Sequence, residues 1–412
     1  TPSMRNRPPV LPMTSDTLTI QTIAAGPFSL APTEGSSVRA ERILAQYDRI
    51  WEEYGCKVTV SYTAESEFSS RFLRTVRADV KFADVIQTSA GELASFQNAG
   101  ALASLTGTGL EEGRTLTQNG EPFAFRADAW GLPLPTLSYG VFYNRTLLRE
   151  ADCDPLELYE QDQWNTDTFS LLCQAVPRTE GTERPISAFI TPTAQYPDLI
   201  FAVFYAFGGD FIQDGQITVN NQAAFEGMNY LSELLRREVS FSLPNDDETV
   251  SDRWAFGDRR TAFLITDSSL LFDTAADSPT QRLGEDIAWL PFPTGTTETS
   301  RVGGTYSVPD LFCALTAKAN WELCAQILPE LFGPLEGETE TTADTLLVET
   351  YFFTETEGQA YLTALDRAGT DSLLFLNTEQ RTAAAEILSG ICNQTASAAL
   401  ALHQLEERLT AE

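Results

Sequence analysis

The sequence predicts an α/β protein built from two lobes, each a mostly parallel sheet flanked by helices. The chain has 412 residues, more than one hydrophobic core ordinarily organises, so two lobes are expected. Along its first hundred residues, short apolar or alternating segments are separated by segments with helical periodicity. Strands that alternate with helices in this way are typical of parallel sheets covered on both faces.

The elements of the first hundred residues follow one another regularly. Residues 18–24 alternate in polarity and predict a first strand. An amphipathic helix follows, with Trp51 on its apolar stripe and Gly55 placed to end it. The same patterns predict strands at 57–62 and 82–87 and helices at 67–76 and 90–99.

The rest of the chain is richer in helix. Residues 211–219 hold an Asp-Gly pair between two short segments and predict a β-hairpin. Asn220 or Asn221 is placed to cap the helix after it. Helices are also expected at 167–176, 197–207 and 251–256 and from about residue 378 onward, and strands at 261–266 and 287–290.

The charge balance argues against several classes of partner. Acidic residues outnumber basic ones by 58 to 27, which gives a net charge of −31. Such a field repels phosphate backbones and anionic lipid headgroups, so neither nucleic acid nor a membrane surface is an expected partner. The longest apolar run, near 199–207, is far shorter than the ~20 residues of a membrane span.

Cysteine and histidine usage predicts neither a metal site nor a cofactor. The six cysteines contain no C-x-x-C pair, and His403 is the one histidine. A chain of this size does not need disulfides, so buried free thiols are expected. The cysteines are Cys56, Cys153, Cys173, Cys313, Cys324 and Cys392.

Residues 1–15 predict a flexible tether rather than part of the fold. The segment is polar and rich in proline, and it lacks the apolar stretch of a signal peptide. We interpret it as the tether left after a targeting segment was removed.

Familiar catalytic signatures do not occur in the sequence. It lacks a G-x-S-x-G elbow, a P-loop and an H-E-x-x-H motif. Gly107, Gly109 and Gly113 have the wrong spacing for a dinucleotide loop. A Ser-His-Asp arrangement would need His403, which lies on an amphipathic helix. No enzyme is expected, although 58 acidic residues leave a glycosidase-type carboxylate pair open.

The tryptophans are spread over the chain, and each is expected in a core more often than in a site. An aromatic ring in a cleft can nevertheless stack on the apolar face of a sugar. The sequence alone does not choose among them. The six are Trp51, Trp130, Trp164, Trp254, Trp289 and Trp321.

Six passages, in order along the chain, resemble the extracellular solute-binding proteins of ABC importers, the sugar-binding group related to maltodextrin-binding protein. Each passage is weak alone, but their common order makes the resemblance specific. The passages are 83–86 (ADVI), 100–105 (GALASL), 130–133 (WGLP) with 140–145 (GVFYNR), 207–211 (FGGDF), 256–263 (FGDRRTAF), and 289–295 (WLPFPTG) with Gly303-Gly304.

The resemblance implies a type II periplasmic-binding-protein-like fold, whose two lobes are joined by crossing hinge strands and close on a ligand. Mapped onto this chain, the first lobe is 16–137 with 291–335, and the second is 138–290 with 336–412.

The resemblance also implies a set of ligand-binding residues in the cleft. Asp198 and Asp267 are the expected acceptors for sugar hydroxyls, since a carboxylate can accept from two adjacent hydroxyls; helix capping and a turn are their structural alternatives. Ser268-Ser269 replaces the Gly-x-Trp of the family, and Trp254 is the substitute platform. The set is Thr88, Ser89, Thr136, Ser138, Tyr139, Tyr196, Asp198, Trp254, Asp267, Ser268, Ser269, Thr305 and Tyr306.

The function implied is capture of a mono- or oligosaccharide and its delivery to the transmembrane subunits of an ABC permease. The resemblance also implies a monomeric lipoprotein at the extracellular face of the membrane, whose lipidated cysteine lies upstream of Thr1. Three alternatives stay open. They are a non-carbohydrate ligand such as a peptide, polyamine or metabolite; a secreted glycoside hydrolase; and a surface interaction protein that has lost its ligand.

Overall fold

The computed structural model divides the chain into two compact units. The first comprises Thr1–Leu134 and Val308–Ala343, and the second Pro135–Ser307 and Asp344–Glu412. The structure describes residues 16–24, 30–31, 34–35, 38–111, 114–126, 135–176, 186–190, 197–213, 215–237, 240–241, 252–295, 304–307, 309–332, 345 and 348–411. The predicted tether at 1–15, Trp130, Tyr196, Asp214 and Gly303 lie outside these residues.

The elements confirm the α/β class. The strands are β1 (Thr17–Thr22), β2 (Lys57–Tyr62), β3 (Val85–Ser89), β4 (Thr115–Gln118), β5 (Glu121–Phe125), β6 (Gly140–Asn144), β7 (Phe189–Ile190), β8 (Ile212–Gln213), β9 (Gln216–Ile217), β10 (Ser240–Phe241), β11 (Phe263–Thr266), β12 (Ile287–Pro291) and β13 (Leu311–Leu315). The helices are α1 (Val38–Tyr54), α2 (Glu65–Arg77), α3 (Ala90–Asn98), α4 (Arg145–Glu150), α5 (Pro155–Glu160), α6 (Thr166–Ala175), α7 (Pro197–Ala206), α8 (Gln222–Arg236), α9 (Asp252–Gly257), α10 (Pro279–Leu283), α11 (Trp321–Leu331), α12 (Glu355–Arg367), α13 (Thr378–Cys392) and α14 (Ala398–Thr410). Short 3-10 turns lie at Ser268–Phe272, Gly284–Asp286 and Ser372–Phe375.

The first unit contains a six-stranded sheet in the order β2-β1-β3-β13-β5-β4. Strand β1 pairs in parallel with β2 and β3, as the strand–helix alternation predicted. Strands β13, β5 and β4 pair antiparallel with their neighbours, so the sheet is mixed. The turn between β4 and β5 is Asn119-Gly120, both with positive φ, which is the conformation that a tight hairpin needs.

A buried carboxylate in the passage 83–86 ties three elements of the first unit together. Asp84 is fully buried and accepts from the backbone N–H of Thr19 at 3.0 Å and from its hydroxyl at 2.7 Å. It also accepts from the N–H of Asn320 at 2.9 Å and pairs with Lys81 at 2.5 Å. The residue therefore fixes β1 and the start of α11 against the approach to β3.

The second unit contains a three-stranded sheet, β11-β6-β12, and both pairings are antiparallel. The prediction of a mostly parallel sheet is wrong here, and it is wrong for the six-stranded sheet of the first unit as well, where only two of the five described pairings are parallel. All residues of the three strands are buried, a pattern that favours a parallel sheet when only the sequence is known. Here the burial arises because α7 packs on β11 and α12 on β12.

The boundary between the units differs from the sequence-based one in three segments. The sequence placed 135–137 and 291–307 with the first lobe and 336–343 with the second, but the structure groups the first two segments with the second unit and the third with the first. Backbone pairing holds 294–295 in the second unit, since Thr166 donates to Thr294 at 2.9 Å and Gly295 donates to Ala206 at 3.1 Å.

Packing of the tryptophans follows the expectation in part. Trp164 and Trp289 are buried. The expectation of burial is wrong for Trp51 and Trp321, which are 53% and 44% exposed, and Trp254, the proposed platform, is 40% exposed. Trp51 follows Ile50 on α1 and lies beside the buried stripe rather than on it.

Two predictions of local structure are confirmed, since strands β8 and β9 form the expected hairpin and Asn221 caps α8 through the N–H of Ala224. All six cysteines are free; four are buried as expected, but Cys153 and Cys392 are only partly buried. Among the described helices, none is long and apolar enough to cross a bilayer. The described residues also contain no cluster of three or more metal-ligating side chains.

Candidate functional site

One edge of the antiparallel sheet in the second unit gathers polar and aromatic side chains. Gly140, the first residue of β6, lies opposite Thr266 at the end of β11 and Pro291 at the end of β12. The residues just beyond these ends therefore meet at one edge. They are Tyr139, Asp267 and Phe292, and we treat this edge as the candidate site of the second unit.

Two chain segments run side by side at this edge. Leu137 pairs with Tyr306, the N–H of Ser138 donates to Thr305 at 2.7 Å, and the N–H of Ser307 donates to Thr136 at 2.9 Å. The structure thus brings together five residues that the sequence proposed for the site, namely Thr136, Ser138, Tyr139, Thr305 and Tyr306. Two of their side chains bond to backbone: Ser138 Oγ donates to the Tyr306 carbonyl at 3.1 Å, and Tyr306 Oη to that of Leu365 at 3.1 Å.

A buried carboxylate and two tyrosines form a network behind the edge. Asp371 is 2% exposed and accepts from the Tyr139 hydroxyl at 3.2 Å and from the Tyr205 hydroxyl. It also accepts from the N–H of Leu373 at 2.8 Å. The rings of Tyr139 and Tyr205 stack with their centroids 5.9 Å apart. Asp371 therefore fixes the position of both rings.

The ionisation of this network follows from its burial. Burial raises the pKa of Asp371, although the hydrogen bonds from Tyr205, Leu373 and Tyr139 oppose the shift. Burial and the charge of Asp371 raise the pKa of both tyrosines well above their ordinary value. Both hydroxyls therefore keep their protons at neutral pH and act as donors to the carboxylate.

A cavity of about 100 Å³ adjoins the network, far more than a single water molecule needs. Thr305 is 7% exposed, and its Oγ1 has no hydrogen-bond partner among the described residues. An unpaired buried hydroxyl is costly, so it is a natural contact for a ligand. The cavity is lined by Tyr139, Ala202, Tyr205, Ala206, Phe292, Gly304, Thr305, Arg367, Gly369 and Thr370.

The segment after β11 places its three predicted residues in different environments. Asp267 caps the 3-10 turn through the N–H of Ser269 at 3.0 Å and pairs with Arg253 at 3.0 Å. Ser268 is fully buried, accepts from the N–H of Leu137 at 2.8 Å and lies 3.0 Å from the Tyr361 hydroxyl. Ser269 is exposed. Asp267 and Ser269 thus reach the surface, while the hydroxyl of Ser268 is engaged in the fold.

Two other predicted residues of this unit are described. Trp254 lies on α9, and the Arg260 guanidinium lies 5.5 Å from its ring centroid. Asp198 lies in the first turn of α7, and its charge contributes to the raised pKa of Tyr139, after burial and Asp371. Asp198 is therefore near the network, whereas Trp254 is absent from the cavity lining.

The first unit has its own candidate edge, where the parallel strands β1, β2 and β3 end. Carboxyl ends of parallel strands are the usual binding edge of α/β sheets. Thr88 is buried and donates to the Glu92 carboxylate, and Ser89 caps α3 through the N–H of Glu92. Tyr62, the last residue of β2, is 53% exposed. Its aromatic ring is the surface that this edge offers to a ligand.

Sequence reasoning missed several of these residues. Tyr205 looks like core because it lies in the apolar helix α7, and Phe292 looks like a strand end. No sequence pattern around Asp371 indicates its role, since its tyrosine partners come from distant segments of the chain. Tyr62 could have been found, because an aromatic residue ends a strand at the predicted binding edge.

The arrangement is suited to holding a solute by hydrogen bonds and ring contacts. The second unit offers three aromatic rings, an unpaired hydroxyl and a capping carboxylate at one edge. The buried carboxylate of Asp371 is occupied by two tyrosines and an N–H.

Comparisons with known proteins concern the family and the fold. A model of the bacterial extracellular solute-binding protein family matches residues 34–310, well over half of the chain. No curated protein matches the sequence significantly.

Solved structures show where the fold recurs. The cyclic α-maltosyl-1,6-maltose-binding protein of Arthrobacter globiformis is similar with a TM-score of 0.62 at 16% identity, covering 96% of this chain and 98% of that chain. The sugar-binding protein MalE of Xanthomonas citri gives 0.60 at 13%, covering 96% of each chain. The GacH receptor of Streptomyces glaucescens, solved unliganded and with acarbose, gives 0.53 at 15%, covering 96% of this chain and 98% of that one.

Proposed function

Because the chain belongs to the bacterial extracellular solute-binding protein family, we propose that it captures a carbohydrate and delivers it to the transmembrane subunits of an ABC importer. The ligand would be a mono- or oligosaccharide. The single observation that carries the proposal is the sheet edge of the second unit, where aromatic rings and polar groups adjoin one cavity. A sugar needs this combination, because its ring has an apolar face and a polar rim.

Relatives support the carbohydrate class. The similar protein of Arthrobacter globiformis binds cyclic α-maltosyl-1,6-maltose, and that of Xanthomonas citri binds sugar. The Streptomyces glaucescens receptor binds acarbose. A peptide, polyamine or other metabolite is the alternative ligand.

We assign roles to the residues at the two edges. Thr305 and Asp267 would hydrogen-bond to ligand hydroxyls, and Tyr139 would pack against the ligand. In the first unit, the exposed ring of Tyr62 would stack on a sugar ring.

The proposal includes no chemistry on the ligand. The described carboxylates at the second edge already serve the fold, since Asp267 caps a turn and Asp371 orients two tyrosines. The protein would act as a lipid-anchored monomer at the extracellular face of the membrane, as the resemblance to the extracellular solute-binding proteins implies.

A thermal-shift screen tests the ligand class across sugars, peptides and polyamines. A carbohydrate present at 100 times its Kd should add about 2.7 kcal/mol to the free energy of unfolding. Mass spectrometry should then recover the bound sugar intact after days. A hydrolysed product would favour the glycosidase alternative, and a shift with peptides alone would exclude a sugar-binding role.

Two matched variants test the first-unit edge. Tyr62 and Trp51 are both 53% exposed, but Tyr62 ends β2 whereas Trp51 lies near the end of α1, just before β2 begins. Tyr62→Ala should weaken sugar binding about tenfold, equivalent to about 1.4 kcal/mol, while Trp51→Ala should leave affinity unchanged. Equal affinities in the two variants would remove Tyr62 from the site.

A further inference from the structure

Among the described residues, the buried Asp371 carboxylate beside the cavity has no cationic partner. Within the part of the chain that the structure describes, its contacts are the hydroxyls of Tyr139 and Tyr205 and the N–H of Leu373. No lysine or arginine there forms an ion pair with it. A buried negative charge without a counter-charge is costly, because hydrogen bonds compensate only part of the lost hydration.

Two further carboxylates add to the negative field. After burial, the charge of Asp210 contributes to the raised pKa of Asp371. After burial and Asp371, the charge of Asp198 contributes to the raised pKa of Tyr139. The cavity therefore lies in a region that three acidic side chains make electronegative.

The cavity walls suit a cation. Three aromatic residues, Tyr139, Tyr205 and Phe292, line it, and ring faces attract positive charge. The Tyr205 hydroxyl is already used, because it donates to Asp371, accepts from the N–H of Leu373 at 3.4 Å and lies 3.3 Å from Ser372 Oγ. Tyr205 can therefore offer the cavity its ring alone.

One hydroxyl at the cavity can still accept a hydrogen bond from a ligand. Thr305 is buried, and its Oγ1 is unpaired among the described residues. An ammonium group brings three N–H donors and a positive charge, so it satisfies the hydroxyl and compensates the carboxylate together.

From this combination we propose that the cavity binds a positively charged amino group of the ligand, which makes amino sugars and partly aminated oligosaccharides the preferred carbohydrates. The inference rests on the proposed sugar-binding function and names its substrate class.

Other occupants fit less well. A neutral hydroxyl would satisfy Thr305 but leave the Asp371 charge uncompensated. An anionic group would be repelled by the three carboxylates. Arg367 also lines the cavity, but it is exposed, so solvent and salt screen its repulsion of a cation.

Calorimetry at pH 6 tests the inference with sugar pairs that differ in one amino group. Suitable pairs are glucose with glucosamine, galactose with galactosamine, and N,N′-diacetylchitobiose with its mono-deacetylated form. In at least one pair, the amine should bind at least tenfold more tightly than its neutral counterpart. The inference would be overturned if every amino sugar that binds did so no more tightly than its neutral counterpart, or if neither an amino sugar nor putrescine bound. Tight binding of neutral sugars would still leave the proposed function standing.

The converse outcome separates the two proposals. Binding of putrescine without binding of any sugar would support the ammonium site and remove the carbohydrate function.

Two variants locate the effect. Asp371→Asn should reduce the preference for the amine over its neutral counterpart at least fivefold. The control is Asp79→Asn, which makes the same change in net charge at a first-unit side chain that is 84% exposed. This control should preserve the preference. Should Asp371→Asn fail to fold, Thr305→Val provides the answer. It removes a hydroxyl with no partner, so the melting temperature should hold while amine affinity falls about fivefold. Unchanged amine affinity in a folded Asp371→Asn, or in Thr305→Val, would contradict the assignment.

Discussion

The Tyr139 hydroxyl donates a hydrogen bond to the Asp371 carboxylate over 3.2 Å, joining residues that are 232 positions apart in the chain. The bond anchors the start of β6 to the segment that follows α12. With Tyr205 on the other carboxylate oxygen, both rings are held before any ligand arrives. A site fixed in this way loses little conformational entropy on binding, which favours affinity.

Replacing Asp84 should destabilise the first unit in a pH-dependent way. Burial alone would raise the pKa of Asp84, but hydrogen bonds from Asn320, Lys81 and Thr19 outweigh it and lower the pKa from 3.8. The group is thus ionised more readily in the folded chain, so its contribution is present above pH ~4 and is lost as the pH falls through the lowered value. Asp84→Asn should cost about 1.5–3 kcal/mol at pH 7.

Urea denaturation between pH 2 and pH 7 measures this effect. The difference between wild type and Asp84→Asn should shrink as the pH falls below about 4. Asp48→Asn, which changes an exposed carboxylate on α1, should follow the wild-type curve. A difference that stays constant over the whole range would contradict the assignment.

Ser268 and Ser269 are adjacent, but one is buried and the other exposed, so replacing each by alanine should affect stability differently. Ser268→Ala removes a buried acceptor for the N–H of Leu137 and a partner of Tyr361, so unfolding free energy should fall by about 1–3 kcal/mol. Ser269→Ala changes an exposed side chain and should stay within about 0.5 kcal/mol. Chemical denaturation compares them, and equal stabilities would show that the Ser268 bonds contribute nothing.

Gly140 should tolerate no side chain. A Cβ there would lie 2.2 Å from Trp289 Nε1 and 2.6 Å from Cε2, and Trp289 is fully buried. Gly140→Ala should therefore cost about 3 kcal/mol or more. A Cβ at Gly369 would meet nothing within 4 Å, so Gly369→Ala should leave stability unchanged or slightly higher. Thermal unfolding of the two variants decides, and a stable Gly140→Ala would mean that the ring can shift.

Asp267 should reveal its role through two different substitutions. Asp267→Ala removes the cap of the 3-10 turn and the Arg253 ion pair and should cost about 1 kcal/mol of stability. Asp267→Asn keeps a capping oxygen and should stay near wild type. If Asp267 accepts a hydrogen bond from the ligand, either substitution should nevertheless weaken sugar binding roughly 10- to 150-fold. Calorimetry measures these affinities. An unchanged affinity in Asp267→Asn would show that Asp267 stabilises the turn and does not contact the ligand.

The secondary structure of the first unit could be predicted because its signals are local. The alternation at 57–62 gave β2, and the stripe containing Ile43 and Ile50 gave α1. The exposure of Trp51 escaped prediction, because neighbours on a helix differ by about 100° and the edge of a stripe is poorly defined. Strand direction in the second unit escaped too, because strands buried on both faces usually indicate a parallel sheet, whereas here helices cover an antiparallel one.

The site was predictable where it follows strand ends. Tyr139 and Thr305 were expected there from the resemblance, and both line the cavity. Asp371 and Tyr205 were not expected, because their importance lies in a contact made through folding rather than in any spacing along the chain.

The order of residues around the cavity has a consequence for biosynthesis. Its walls come from Tyr139, from α7, from Phe292, from Gly304-Thr305 and finally from 367–370. At about 5–20 residues per second, a ribosome needs roughly 10–50 s to pass from Tyr139 to the last of these. A nascent chain therefore cannot hold its solute until nearly all of the second unit has been made. Prematurely terminated products would be unable to compete with finished molecules for solute.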